Sequence, residues 1–161
     1  MFFKGNIKVR IIIVYLHADL TARHQRQALQ AQIIEILNAS HSAQYHIIIM
    51  GDFNANLDHF HLSVSKHNKG CWQYSLFHYL QQNRYTDLQL IFGSDQTSPG
   101  FTFTSPQNDA ITCIDAIFTS PSFSFAPLYC HTRKSFWYLS DHLIVTAYFQ
   151  PVESIKERHE R

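Results

Sequence analysis

Apolar residues in this chain fall into short continuous runs and one long stretch of helical period, and the order in which the two patterns alternate predicts an α/β fold. Lys8 to Leu16 is rich in β-branched residues, and Phe2-Phe3-Lys4 followed by Gly5-Asn6 reads as the end of one strand turning into the next. From Thr21 to Asn38 the residues Leu29, Ile33, Ile36 and Leu37 recur at helical spacing, with Asp19 or Thr21 placed to cap the first turn. Tyr45 to Met50 is a continuous apolar run of strand length that stops at Gly51. Residues 9 to 50 therefore read as strand, covering helix and strand. Further on, Leu76, Phe77 and Leu80 mark a short helix over Tyr74 to Gln82, and Phe101 to Thr104, Cys113 to Thr119 and His142 to Phe149 read as strands. Residues 55 to 70 are expected to form a long surface excursion, Gly93 to Gly100 a break, and the segments around Pro121 and Pro127 loops. The pattern divides the chain into one domain, residues 1–150, and a charged, frayed tail, residues 151–161.

Composition narrows the class. The chain has 161 residues, of which 45% are hydrophobic and 14% aromatic, enough for a real core in one domain. The formal net charge is +1, so no global field recruits a polyanion, and contact with nucleic acid has to come from local cations such as Lys66, Lys69, Arg133 and Lys134. Cys71, Cys113 and Cys130 are odd in number and widely spaced, which argues against a disulfide framework or a zinc knuckle and for a reducing compartment. The longest early apolar run is broken by Arg10 and is shorter than the roughly 20 residues of a membrane span. The expected location is intracellular, nuclear or cytoplasmic, with no membrane partner.

Candidate chemistry sits at strand ends. Gly51-Asp52-Phe53-Asn54 follows the Ile47 to Met50 run directly, Asp115 lies inside Cys113-Ile114-Asp115-Ala116-Ile117-Phe118, and Ser140-Asp141-His142 precedes Leu143-Ile144-Val145. A single Gly-Asp pair is an ordinary turn. Three carboxylates at three strand edges can instead meet around one phosphate, where hydrolysis needs an activated water, a cation against the phosphoryl oxygens and a stabilised leaving group. The pair His59 and His61 has no third ligand nearby and reads as a solvated face. Phe101, Phe103 and Trp137 read as packing residues rather than as base-stacking platforms.

In this order, with Thr102-Phe103-Thr104 ahead of the second carboxylate, the motifs resemble the endonuclease/exonuclease/phosphatase superfamily, which includes DNase I-like nucleases, exonuclease III-like abasic-site nucleases and retrotransposon endonucleases. The resemblance runs from about Val9 to Phe149 and implies a four-layer α-β-β-α sandwich with mixed sheets. It also implies roles. Asp52 would orient or deprotonate the attacking water, and Asn54 would donate to a phosphate oxygen. Asp115 would hold His142 so that its imidazolium meets the scissile phosphate, and Tyr15 would contact phosphate from an early strand. Asp141 would be a ligand for magnesium, or manganese, since hard divalent cations prefer carboxylate oxygens.

The chain also departs from that pattern. His17 stands where relatives often have a proline after the tyrosine, and Cys113 where exonuclease III-like relatives often have an arginine. Relatives carry a metal-binding Glu and an Asn upstream of the segment matched by Val9 to Leu16, whereas the only Glu before Gly51 is Glu35, in the amphipathic helix. The expectation is therefore a partial sandwich, the carboxy-terminal two-thirds of such a domain with its amino-terminal strands missing. Ile114-Asp115-Ala116-Ile117-Phe118 resembles the retroelement endonucleases more than the inositol-phosphate phosphatases, so nucleic acid is the expected substrate. Two alternatives stay open: a non-catalytic remnant that binds nucleic acid weakly, and a lipid or inositol phosphate phosphodiesterase.

Overall fold

A computed structural model describes residues 2–3, 7–57, 59–60, 72–93, 100–136 and 139–151. Most of the 55–70 excursion, with Lys66, Lys69 and His61, lies outside these residues, as do Cys71, Trp137 and the charged tail after Pro151.

The central sheet has the order β1-β2-β3-β7-β4, formed by Phe2–Phe3, Ile7–Tyr15, His46–Asp52, Asp115–Thr119 and Thr86–Asp87. It is mixed: β2 and β3 run parallel, and β7 runs antiparallel to β3 and β4. Parallel neighbours need a crossover, and helix α1, Arg23–Ser42, supplies it. Ile47 and Ile49 pack under α1 and helix α2, Ser75–Gln82, with Phe53, Phe77 and Phe118. The alternate residue Ile48 faces the other way, toward the hairpin of β8, Phe125–Arg133, and β9, Ile144–Pro151. A strand buried on both faces is why this run carries no polar alternation. Helices, five-stranded sheet and hairpin are three layers of the expected sandwich.

Helix α1 starts later than the spacing predicts. Asp19 caps a 3-10 turn over Leu20–Ala22 by accepting from the Thr21 N–H, and the α-helix follows from Arg23. Its buried stripe is Arg26, Gln30, Ile33, Leu37 and Ser40, while Ile36 is exposed. Three polar residues, Arg26, Gln30 and Ser40, thus occupy positions that apolar spacing alone does not reveal.

Two elements correct the sequence reading. The segment around Pro127, expected as loop, is the nine-residue strand β8. Pro127 is tolerated there because β8 is an edge strand of a two-stranded sheet, and the register shifts directly after it, leaving Leu128 as the bulged residue before Tyr129. Leu88–Phe92 forms a short helix, α3, whose start is fixed by Asp87 Oδ1 accepting from the N–H groups of Gln89 and Leu90. The short pair β5, Phe103–Thr104, and β6, Ile111–Thr112, stands apart as a two-stranded ribbon. Among the described residues no helix is long and apolar enough to cross a membrane.

Candidate active site

The register of the central sheet makes the site. Because β2 and β3 are parallel, their last residues, Tyr15 and Asp52, finish side by side, and antiparallel β7 begins at the same edge, so Asp115 lies opposite Asp52. Gly51 is required just before the carboxylate. Its φ is +134°, and a Cβ there would sit 2.0 Å from the Val14 carbonyl oxygen. Glycine lets β2 close against β3 where the site begins.

Beyond Asp52 the chain turns sharply through Asn54, whose φ is +44°. Asp52 Oδ1 accepts from the Asn54 N–H at 2.8 Å, and the Asn54 amide donates to Asp52 Oδ2 at 3.0 Å and to the Leu16 carbonyl at 2.7 Å. Asn is at home in this left-handed position because its short amide bonds the local backbone. Under the turn lies Arg26, 1% exposed. Its guanidinium donates to the carbonyls of His17, Phe53 and Asn54 at 2.6, 2.9 and 2.8 Å. Burial pulls the Arg26 pKa down from its ordinary value, and the nearby Asp52 charge opposes that shift.

His142 closes the site from the third motif. Its Nδ1 lies 2.9 Å from Asp115 Oδ2, and its ring packs on Phe103 with centroids 5.0 Å apart. The segment is seated by backbone bonds to the Thr-Phe-Thr motif: Thr104 N–H donates to the Asp141 carbonyl at 2.8 Å and Leu143 N–H to the Thr102 carbonyl at 2.7 Å. Thr102, fully buried, fixes the other partner, because its Oγ1 accepts from the N–H groups of Ile114 and Asp115, both at 3.0 Å.

Ligand atoms of Asp52, Asp115 and His142 lie within 4.8 Å of one another, the group among the described residues that could hold a metal ion. Asp52 is held above the ordinary carboxylate pKa, first by burial and then by the neighbouring Asp115 charge, against the hydrogen bonds from Asn54 and the pull of His142. Two carboxylates at one edge, one of them raised partly by the other, suit a divalent cation that would relieve their repulsion.

The sequence candidates are thus distributed unevenly. Asp52, Asn54, Asp115 and His142 converge, and Tyr15 stands beside Asp52 with its side chain 67% exposed. Asp141 is exposed and meets the site through its backbone carbonyl, outside the three-residue cluster. His59 is exposed, whereas Phe60 beside it is buried. Arg26 was not legible as a site residue, although extending the helical spacing back from Ile33 through Gln30 reaches it. Cys113 and Cys130 are buried, and the Cys113 thiol donates to the Asp115 carbonyl at 3.6 Å.

Comparison with known proteins fits this geometry. A family model described as endonuclease-reverse transcriptase matches residues 9–146. Among solved structures, the catalytic domain of human Nocturnin with bound sulfate superposes with a TM-score of 0.57 at 19% identity, over 91% of this chain and 49% of that one. A mannosyl-6-phosphatase from Bacteroides thetaiotaomicron superposes with a TM-score of 0.48 at 16% identity, over 91% and 52%. The chain spans about half the length of these solved structures. No curated protein matches the sequence.

Proposed function

The chain belongs to the endonuclease-reverse transcriptase family, within the DNase I-like endonuclease/exonuclease/phosphatase superfamily of hydrolytic enzymes, and on that premise we propose that it is a metal-dependent nucleic-acid endonuclease of retroelement type. The observation that carries the reading is the convergence of Asp52, Asp115 and His142 from three separate motifs onto one sheet edge. The family description favours a nucleic-acid phosphodiester over a sugar or inositol phosphate.

Asp52 is the base. Burial raises its proton affinity, so it takes a proton from the attacking water more readily than an exposed carboxylate would. Asn54, expected to donate to a phosphate oxygen, instead uses both amide hydrogens on Asp52 and the Leu16 carbonyl, so it acts by holding the Asp52 carboxylate in place. Asp115 orients the His142 ring through Nδ1, so that its imidazolium would present Nε2–H to the phosphoryl or leaving oxygen as charge develops there. Asp52 and Asp115 would hold magnesium or manganese, with Asp141 at the rim as a further carboxylate. The ion, when bound, neutralises charge on the phosphoryl oxygens. Arg133, the last residue of β8, and Lys134 just after it are both exposed and supply local positive charge for a nucleic-acid backbone.

Nicking of supercoiled plasmid by purified protein tests the reading. Magnesium-dependent nicking is expected, absent in EDTA, and reduced at least ~100-fold by Asp52→Ala or His142→Ala. A folded protein that binds the plasmid but never nicks it would instead identify a non-catalytic remnant. Nicking that survives both substitutions would place the chemistry elsewhere.

A further inference from the structure

Strand β2 is paired along one side and, on the other, only at its start. Parallel β3 takes Val9 to Tyr15, whereas β1 meets β2 at Ile7 and Lys8. Among the described residues, no strand lies against the outer edge of β2 from Ile11 to Tyr15. Such edges are normally blunted by a charged side chain, a proline or a bulge, because a row of unpaired N–H and C=O groups is a template for another strand. Here the edge reads Ile11-Ile12-Ile13-Val14-Tyr15, with no charge and no proline, and its ladder with β3 has no register shift.

The cations that could guard this edge are turned away from it. Lys8 Nζ stands 5.9 Å and the Arg10 guanidinium 4.3 Å from the centre of the Tyr45 ring, and Arg10 also donates to Ser40 Oγ at 2.9 Å, so both side chains lie on the helix face of β2. On the opposite face Ile11, Ile13 and Tyr15 are exposed at 50%, 79% and 67%. Open edge and apolar face thus coincide on the same stretch.

A second copy of this chain fits that stretch, and the rest of β2 decides the register. An uncharged strand can lie antiparallel to itself about a two-fold axis without setting like charges against each other. With the axis at Ile13, each Ile13 faces its own copy and each Ile11 faces Tyr15 of the second copy, and all of them stay on one face. β1 excludes registers nearer the amino end. With the axis at Ile11, the Ile7 and Lys8 positions, where β1 already holds the edge, would fall opposite Tyr15 and Val14 of the second copy. With the axis at Ile13 they fall past Tyr15, the end of β2, and Arg10 falls opposite the uncharged Leu16.

We propose that Ile11 to Tyr15 is a dimerisation edge, at which two copies of the chain join antiparallel about Ile13 and their five-stranded sheets become one continuous sheet. The two catalytic edges, each at the carboxyl end of β2, then point in opposite directions, and each copy keeps its own Asp52, Asp115 and His142. Association through this edge is independent of the endonuclease reading.

Sedimentation velocity of the whole chain over a wide range of concentration, in EDTA with a reductant, should show a reversible monomer–dimer equilibrium and no larger species, because a two-fold contact closes on itself. Ile13→Lys, at an exposed side chain that the fold does not need, sets like charges together on the axis and should weaken dimerisation at least ~10-fold. Ile36→Lys, the same change at an exposed isoleucine of α1, should leave dimerisation as it is in the wild type. Cross-linking reads the register. In a Cys71→Ser background, where Cys113 and Cys130 are buried, mild oxidation should convert the Ile13→Cys chain to a disulfide-linked dimer, since directly opposed residues stand within disulfide reach. Ile11→Cys, opposite Tyr15, should cross-link far more slowly. A chain that stays monomeric throughout overturns the proposal and leaves the edge to a strand from a different polypeptide. Dimers indifferent to Ile13→Lys, growth beyond dimers, or equal cross-linking at the two positions overturn it as well, since each puts the contact elsewhere or in another register.

Discussion

Asp52 carries a conflict between function and stability. Its charge is partly buried and faces Asp115, so its pKa in the folded chain stands above the unfolded value. The native state then holds that proton more tightly than the unfolded state does. Stability from this group accordingly rises as pH falls from neutral through the raised pKa, and levels off below the ordinary carboxylate range. Urea unfolding in EDTA from pH 7 to pH 4 should show that rise as the difference between wild type and Asp52→Asn, and a flat difference would refute it. Asp52 and Asn54 were readable from four consecutive letters, because Gly51-Asp52-Phe53-Asn54 after an apolar run specifies a strand end and a tight turn. The raised pKa was not readable, since it depends first on burial and then on Asp115, which is distant along the chain and adjacent only through the β3 and β7 register.

At the scale of elements, the site depends on two residues that touch no substrate. Arg26 ties helix α1 to the ends of β2 and β3 by donating to three backbone carbonyls. Arg26→Met should destabilise the fold by about 2–4 kcal/mol, because the lost donors leave buried carbonyls unsatisfied. Arg26→Lys should restore only part of this, since an ammonium cannot fork between separate acceptors. Thr102→Val, which removes one acceptor from two N–H groups, should cost about 1–3 kcal/mol and lower nicking more than KM, through the misplaced Asp115 backbone. Denaturant midpoints and steady-state kinetics read both effects. Helix α1 and strands β2, β3, β7 and β9 were legible from periodicity to within a few residues, whereas β8 was not. Pro127 looks like a breaker in sequence and becomes admissible only in an edge strand beside the bulge at Leu128, where β8 carries one residue more than β9.

Over the whole molecule, the sheet is unevenly covered. Ile7 and Val9 of β2 pack toward the hairpin, but Ile11, Ile13 and Tyr15, on the same face by the period-2 rule, lie beyond its reach and are exposed, Ile13 at 79%. A contiguous apolar strip of this kind drives association when nothing covers it. Sedimentation should show concentration-dependent self-association that Ile13→Thr reduces, while stability moves by no more than about 0.5 kcal/mol because little burial is lost. Association unaffected by the substitution would remove the strip as its cause.

The sequence by itself determined the α/β order, the strand-helix-strand unit of residues 9 to 50 and the identity of the convergent Asp52, Asn54, Asp115 and His142, because hydrophobic period and turn chemistry are local properties that each segment carries within itself. Tertiary structure decided the rest: that Asp141 stays outside the cluster while Arg26 enters its support, and that Thr102 serves the backbone of Asp115. Those facts follow from register, burial and the pairing of polar groups across distant segments, and such pairings exist only once the chain has packed.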